Sequence, residues 1–396
     1  MRAALLLAIL GLLLASCGDG GDDDAAPDRS GGAATEESAP VLGREGDDEE
    51  AATDLGFPAF ATRNTTRVGG ADAIADAAAI AQAVYPSRDR DTRPRAVSLV
   101  DTSDWRVAVS TAQLMSLPLG APILFSDGGD LPAASEQALG RLIPTGAKEA
   151  GGAQVLRIGD AAAAQGYKTT TVEGGDHAEL ARAIDRLHTA AAGEPSKAVV
   201  VASSDQPGYS MPAAGWAAKS GDPVLWVTRD AIPAPTRAAI TAHKRPKIYV
   251  LGPESAVSKK VLGQLSDLGD ARRVGSADPV TNAIEFARFS EGWNVVDPGH
   301  GLVFATTQRP LDAAAAAPLS ASGTYGPLLL VTEANALPSA LQDYLLDIQP
   351  GYDKDPVRGV YNHGWMIGDE GAVSVDVQAR IDSLLEIQPV DRTAGA

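Results

Sequence analysis

Three short stretches decide the fold: Pro122-Ile-Leu-Phe-Ser-Asp127, Pro223-Val-Leu-Trp-Val-Thr228 and Pro327-Leu-Leu-Leu-Val-Thr332. Each is a proline followed by an apolar run, and a second proline follows each, in Leu131-Pro132, Ile232-Pro233 and Leu337-Pro338. Two markers recurring in near register, about one hundred residues apart, define a threefold internal repeat. Working outward, each repeat reads as one α/β series. It opens with a turn and a helix: Arg67-Val-Gly-Gly-Ala-Asp72 before Ala73–Val84, Val172-Glu-Gly-Gly-Asp176 before Ala178–Leu187, and Arg273-Val-Gly-Ser-Ala-Asp278 before Thr281–Phe289. The aspartates are helix N-caps by position. A non-alternating apolar strand follows, at Ala96–Val100, Ala198–Ala202 and Gly301–Ala305, as expected of a parallel strand covered on both faces. Next come a polar loop, an alanine-rich helix, clearest at Asp312–Leu319, and the Pro-led strand. Then follow an amphipathic helix and a third strand ending in Gly159, Gly252 or Gly368.

Strands alternating with helices predict parallel sheets. The expected architecture is α/β: three similar small Rossmann-like modules, at residues 63–168, 169–270 and 271–388, in a pseudo-threefold arrangement, with a tail at 389–396. Ahead of them, Arg2 and the apolar stretch Ala3–Ala15 read as a signal peptide, residues 1–16, too short to span a bilayer. Leu14-Ala15-Ser16-Cys17 looks like a bacterial lipobox, which makes Cys17 the lipid attachment point. It is the one cysteine of the chain, so no disulfide forms within it and core packing must hold the fold. Residues 17–62 read as an acidic, disordered tether. Gly18–Gly56 carries 13 acidic and 2 basic residues, net −11, of the −18 of the whole chain. Such a tether averages roughly 35 Å end to end and is extended further by self-repulsion. Negative charge and export both disfavour a nucleic-acid partner.

At this point the three copies resemble the cell wall-binding repeat 2 family. The family pattern is an Arg-led opening, a strand, a helix with an aspartate in a Pro-Asp-Ala-like start, the Pro-led strand, Leu-Pro, and a Gly-turn before Ala-Val-Ser. The third copy matches best, with Pro310-Leu-Asp312-Ala-Ala-Ala-Ala-Ala-Pro318-Leu319. The resemblance implies three tandem modules that bind an anionic wall polymer non-covalently, with the apolar strand motif at the sites between modules: Ile123, Leu124, Phe125, Val224, Leu225, Trp226, Leu328, Leu329 and Leu330. Departures are visible. The helix aspartate is Asp312 in the third copy, Tyr209 takes its place in the second, and the first is displaced to Asp104. The opening arginine is Arg67 and Arg273 with no match in the middle copy. The added effector domain common in the family is not expected here.

Enzymatic motifs are not apparent. The five histidines lack metal-ligand spacing, and no G-x-S-x-G elbow, S-x-x-K or Walker loop occurs. Neither metal nor cofactor is expected. Aromatic residues make up 5%, which argues against a lectin built on stacking platforms. The place for a site is the carboxyl end of the parallel strands, where polar loops precede helices: Asp101-Thr-Ser-Asp104, Ser203-Ser-Asp-Gln206 and Thr306-Thr-Gln-Arg309. The polymer-binding candidates are Arg67, Asp104, Arg106, Ser203, Ser204, Tyr209, Arg273, Thr306, Thr307, Arg309 and Asp312. Helix-start amides and the arginines favour an anion, whereas Asp101, Asp104 and Asp205 oppose one unless a cation bridges. The leading expectation is a non-enzymatic, lipid-anchored protein linking membrane to wall. The alternatives are a solute-binding lipoprotein of a transport system and a wall-modifying enzyme with an unrecognised site.

Overall fold

In a computed structural model of the chain, residues 59–390 are described. The signal segment, Cys17, most of the tether and the end of the tail lie outside them. The strands are β1 (Ala59–Ala61), β2 (Thr65–Val68), β3 (Val97–Asp101), β4 (Ile123–Ser126), β5 (Val155–Ile158), β6 (Thr169–Val172), β7 (Ala198–Ser203), β8 (Val224–Val227), β9 (Lys247–Leu251), β10 (Asp270–Val274), β11 (Gly301–Thr306), β12 (Leu328–Val331), β13 (Gly351–Tyr352), β14 (His363–Ile367) and β15 (Gln388–Pro389). The first sheet runs β4-β3-β5-β6 and the second β8-β7-β9-β10, with every pair parallel. The third runs β12-β11-β14-β2, also parallel, with β1 added antiparallel on the outside of β2. This is the α/β architecture expected from the repeats. The Pro-led runs form β4, β8 and β12, fully buried strands, because apolar side chains without alternation suit a strand covered on both faces.

The openings differ from the reading as turns. Thr65–Val68, Thr169–Val172 and Asp270–Val274 are strands, and each lies beside the last strand of the preceding repeat. The opening of the first repeat has no preceding repeat, so β2 pairs with β14 of the third. The three sheets are thereby linked in a cycle, each taking its fourth strand from the opening of the next repeat. Ala59–Ala61, at the end of the segment read as tether, is strand β1 and covers the β2 edge.

Helices after β3, β7 and β11 meet at the centre. They are Trp105–Thr111 with the 3-10 turn Ala112–Met115, Pro207–Ser210 with Pro212–Ser220, and Leu311–Ala315 with Ala317–Ala321, and they pack on one another. Small residues permit this closeness: a Cβ on Gly215 would stand 2.7 Å from Ser320 Oγ. Each central helix also touches the opening helix of the next repeat. Trp105–Thr111 meets His177–Ala192, Pro207–Ser210 meets Pro279–Arg288, and Leu311–Ala315 meets Ala73–Val84. The last contact repeats, between third and first, the relation of the other two, which gives the pseudo-threefold arrangement. Among the described residues no helix is long and apolar enough to cross a membrane.

Candidate functional site: three unequal clefts

The order 2-1-3-4 within each sheet places a topological switch between its first and third strands, where an open α/β sheet forms its crevice. At each switch the loop after the first strand faces the opening turn of the next repeat. Three related clefts result, and the ladders align them residue by residue. Asp101, Ser203 and Thr306 end the central strands opposite Ser126, Val227 and Val331. Counting on, Asp104, Gln206 and Arg309 correspond, as do Val107, Tyr209 and Asp312. From the N-caps Asp72, Asp176 and Asp278, a count of four brings Asp76, Leu180 and Asn282 into correspondence.

The third cleft, between third and first repeats, is filled by charge. Arg309 ion-pairs with Asp76, reaches Asp312 at 2.9 Å and Asp369 at 3.7 Å. Asp76 and Asp312 are both completely buried, and Asp76 accepts from Gly70 N at 2.6 Å. The geometry to Arg309 closes no hydrogen bond on Asp312, whose two carboxylate oxygens stand buried without a hydrogen-bond partner. Burial raises the pKa of Asp76, and the neighbouring Asp312 raises it further. Burial also raises Asp312, against the pull of Arg309. One guanidinium faces two buried carboxyls, a setting that favours keeping a proton on the pair. Gly69 is required here: its φ is +139°, and a Cβ would stand 2.3 Å from Asp76 Oδ1.

In the second cleft Tyr209 occupies the space. Its hydroxyl donates to Ala277 O at 2.7 Å, and Asn282 Nδ2 donates to Tyr209 O at 3.2 Å. Only a neutral amide stands where Asp76 stands in the third cleft.

The first cleft is open. A cavity of about 330 Å³ has a floor of Val107, Ile158 and Leu180 and a rim that includes Asp101, Asp104, Asp160 and His177. Burial lowers the His177 pKa, helped by Arg106 and opposed by Asp104. The helix-start amides are already occupied by protein carboxylates. Asp104 accepts from Arg106 N at 2.9 Å, and Asp176 accepts from Ala178 N and Glu179 N, each at 2.8 Å. The Arg106 side chain folds back on Asp104 at 2.7 and 2.9 Å.

The other sequence-selected residues divide plainly. Arg67 is buried and donates to the carbonyls of Gly368, Asp369 and Val373 and to Gln378 Oε1. Arg273 does the same with Gly252 and Val257. Both thus pin the glycine turn after the third strand. Burial lowers the pKa of each guanidinium. In the middle opening Thr171 holds this place, and Arg157 across the ladder donates to Ala161 O instead. Ser203 Oγ accepts from Asp205 N, and Ser204 Oγ donates to Val227 O and to Asp205. Thr306 Oγ1 accepts from Gln308 N, and Thr307 N bonds Val331 O. The apolar motif residues are strand core. Trp226 is completely buried, donates to Ser110 Oγ at 2.8 Å and packs edge-on against Trp105, tying the first repeat to the second. Asp76, Leu180, Asn282 and Arg157 were missed in the sequence; aligning the openings on their N-caps would have exposed the first three. Among the described residues no group of three or more His, Cys, Asp or Glu can hold a metal ion.

Residues 171–262 match the family model described as Cell wall binding domain 2 (CWB2). Two solved structures are similar: Cwp6 from Clostridium difficile, with TM-score 0.66 and 20% identity over 82% of this chain and 48% of that one, and Cwp8 from Clostridium difficile, with TM-score 0.62 and 18% identity over 86% and 54%. This chain therefore spans about half the length of either, and at such identity the likeness is one of fold. No match was found among curated proteins. The family that the three copies resemble is thus the one whose model the middle of the chain matches, over residues 171–262.

Proposed function

We propose that the chain is a non-enzymatic cell wall-binding protein whose working site is the first cleft. The observation that carries this reading is the contrast among the three clefts: the first keeps a cavity of about 330 Å³ with an apolar floor and a polar rim, whereas Tyr209 and Arg309 occupy the other two. The partner is an accessory polymer of the wall, anionic by the family resemblance. Its sugar hydroxyls, not its anionic groups, enter the first cleft, because Asp101, Asp104 and Asp160 accept from hydroxyls and repel anions. Lipidation at Cys17 and the acidic tether place the repeats on the extracytoplasmic face of the membrane, within reach of the wall.

The test is co-sedimentation of the purified full-length chain with isolated sacculi of the native host. Binding that vanishes when the accessory polymers are stripped supports the reading. Undiminished binding to stripped sacculi assigns peptidoglycan as the partner instead, and no binding to either overturns wall attachment. The cavity volume also favours a second reading, capture of one small solute. Saturable binding of a free monosaccharide with no affinity for sacculi would mark that case.

A further inference from the structure

Among the described residues the first sheet ends at β6 with an open edge, whereas the equivalent strand of the third sheet, β2, is covered. The ladders make the two strands counterparts: Val172 faces Ile158 as Val68 faces Ile367, and Thr171 faces Arg157 as Arg67 faces Met366. On β2, the covering strand β1 runs antiparallel and sets Ala59 against Val68, Phe60 against Arg67 and Ala61 against Thr66. The same register on β6 puts an incoming strand against Val172, Thr171 and Thr170. Those three residues, together with Glu173, line a groove of about 820 Å³, bounded across the way by the helix His177–Ala192 and by Lys244. Register and groove are independent observations that select the same residues.

The edge is also unguarded. Natural sheet edges are commonly blocked by charge or proline, as β10 is by the exposed Asp270 and Arg272. β6 reads Thr-Thr-Thr-Val, with neither. The exposed charges of the groove are Arg186 and Lys244 against Glu173. Asp185, also in the lining, is buried and tied to His243 Nε2 at 2.9 Å. A groove with a cationic excess, in a chain of net charge −18, complements an acidic partner. The repeat of backbone donors and acceptors along a strand edge matches a polypeptide, whose amides recur at the same spacing.

We propose that the β6 edge and its groove dock an extended, acidic polypeptide strand by antiparallel β-addition, in the way β1 is docked on β2. The probe is a synthetic peptide built on the Ala-Phe-Ala of β1 and flanked by glutamates, added to the full-length chain and followed by amide hydrogen exchange. Exchange across 169–173 slows several-fold with the peptide. It does not slow with an analogue N-methylated at alternate amides, which lacks the donors. Arg186→Glu combined with Lys244→Glu weakens binding about tenfold. Should that variant fold poorly, the comparison of the two peptides on the unaltered chain still decides. No protection of 169–173 at about 1 mM peptide, or equal protection by the methylated analogue, overturns the proposal. So does protection by a wall polysaccharide where the peptide gives none.

Discussion

The first and third clefts occupy equivalent places in one fold and do opposite things with them. In the third, Asp76, Arg309 and Asp312 close the cleft with charge. In the first, the same three positions are Leu180, Asp104 and Val107, which leave a floor of apolar side chains under a polar rim. A threefold repeat needs one joint that has no covalent neighbour, and here that joint is between third and first repeats. The two joints where the chain runs on can stay open or be plugged by a tyrosine. The joint between the chain's distant ends carries a buried ion cluster and a deeply buried arginine. The lesson is that equivalent sites in a repeat protein can be closed at one joint and left open at another.

The largest expected effect comes from that closure. Arg67→Ala removes donors to three carbonyls and leaves them without partners in the interior, costing about 3–5 kcal/mol in denaturant unfolding. Arg273→Ala, half-buried with two carbonyl partners, costs about 1–3 kcal/mol. Equal losses would erase the distinction between the joints.

Arg309→Met comes next. It strips the cation from Asp76 and Asp312 and costs about 2–4 kcal/mol at pH 8, less at pH 5 where the carboxyls take up protons. The pH dependence of the unaltered chain follows the same sites. Asp76 is pushed up to about 8 by burial and by Asp312. Between the ordinary aspartate range near 4 and that value, the folded chain therefore holds more protons than the unfolded one. The contribution is fully present below this window and is lost as pH rises through it. Asp76→Asn, the residue type of the second cleft at Asn282, keeps an acceptor for Gly70 N and flattens the dependence, adding about 1–3 kcal/mol at pH 8. Thermal melts across pH 5–8 check this; an unchanged slope would mean that the pair does not govern it. The smallest effect is Asp104→Ala in the first cleft, the loss of one helix cap at about 1 kcal/mol.

The fold was largely legible because its signals are local. Apolar runs of four or five residues made β3, β4, β7, β8, β11 and β12 visible, and prolines marked the helix starts. β2, β6 and β10 were not, because their side chains are largely polar. Thr65–Val68 takes its place in the sheet by pairing with Gly364 to Ile367, about three hundred residues away. The clefts were half legible. The polar loops at the strand ends were in view, but arginines look alike in sequence whether they bind a ligand or pin a turn. Burial and carbonyl partners separate those roles, as Arg67 shows. Asp76 was hidden on an alanine-rich helix, where an aspartate reads as a solvated residue until the third repeat is folded against it.

The central claim is that the open first cleft, not the charged third, holds the wall polymer. Gly129 lines that cleft with nothing within 4 Å of a Cβ placed on it, so the side chain of Gly129→Trp starts from open space at the cleft. The decisive measurement is the affinity of this variant for native sacculi beside that of Asp76→Asn. The expected result is at least about a tenfold loss for Gly129→Trp and no change for Asp76→Asn. Full affinity for Gly129→Trp, or a loss confined to Asp76→Asn, would contradict the account.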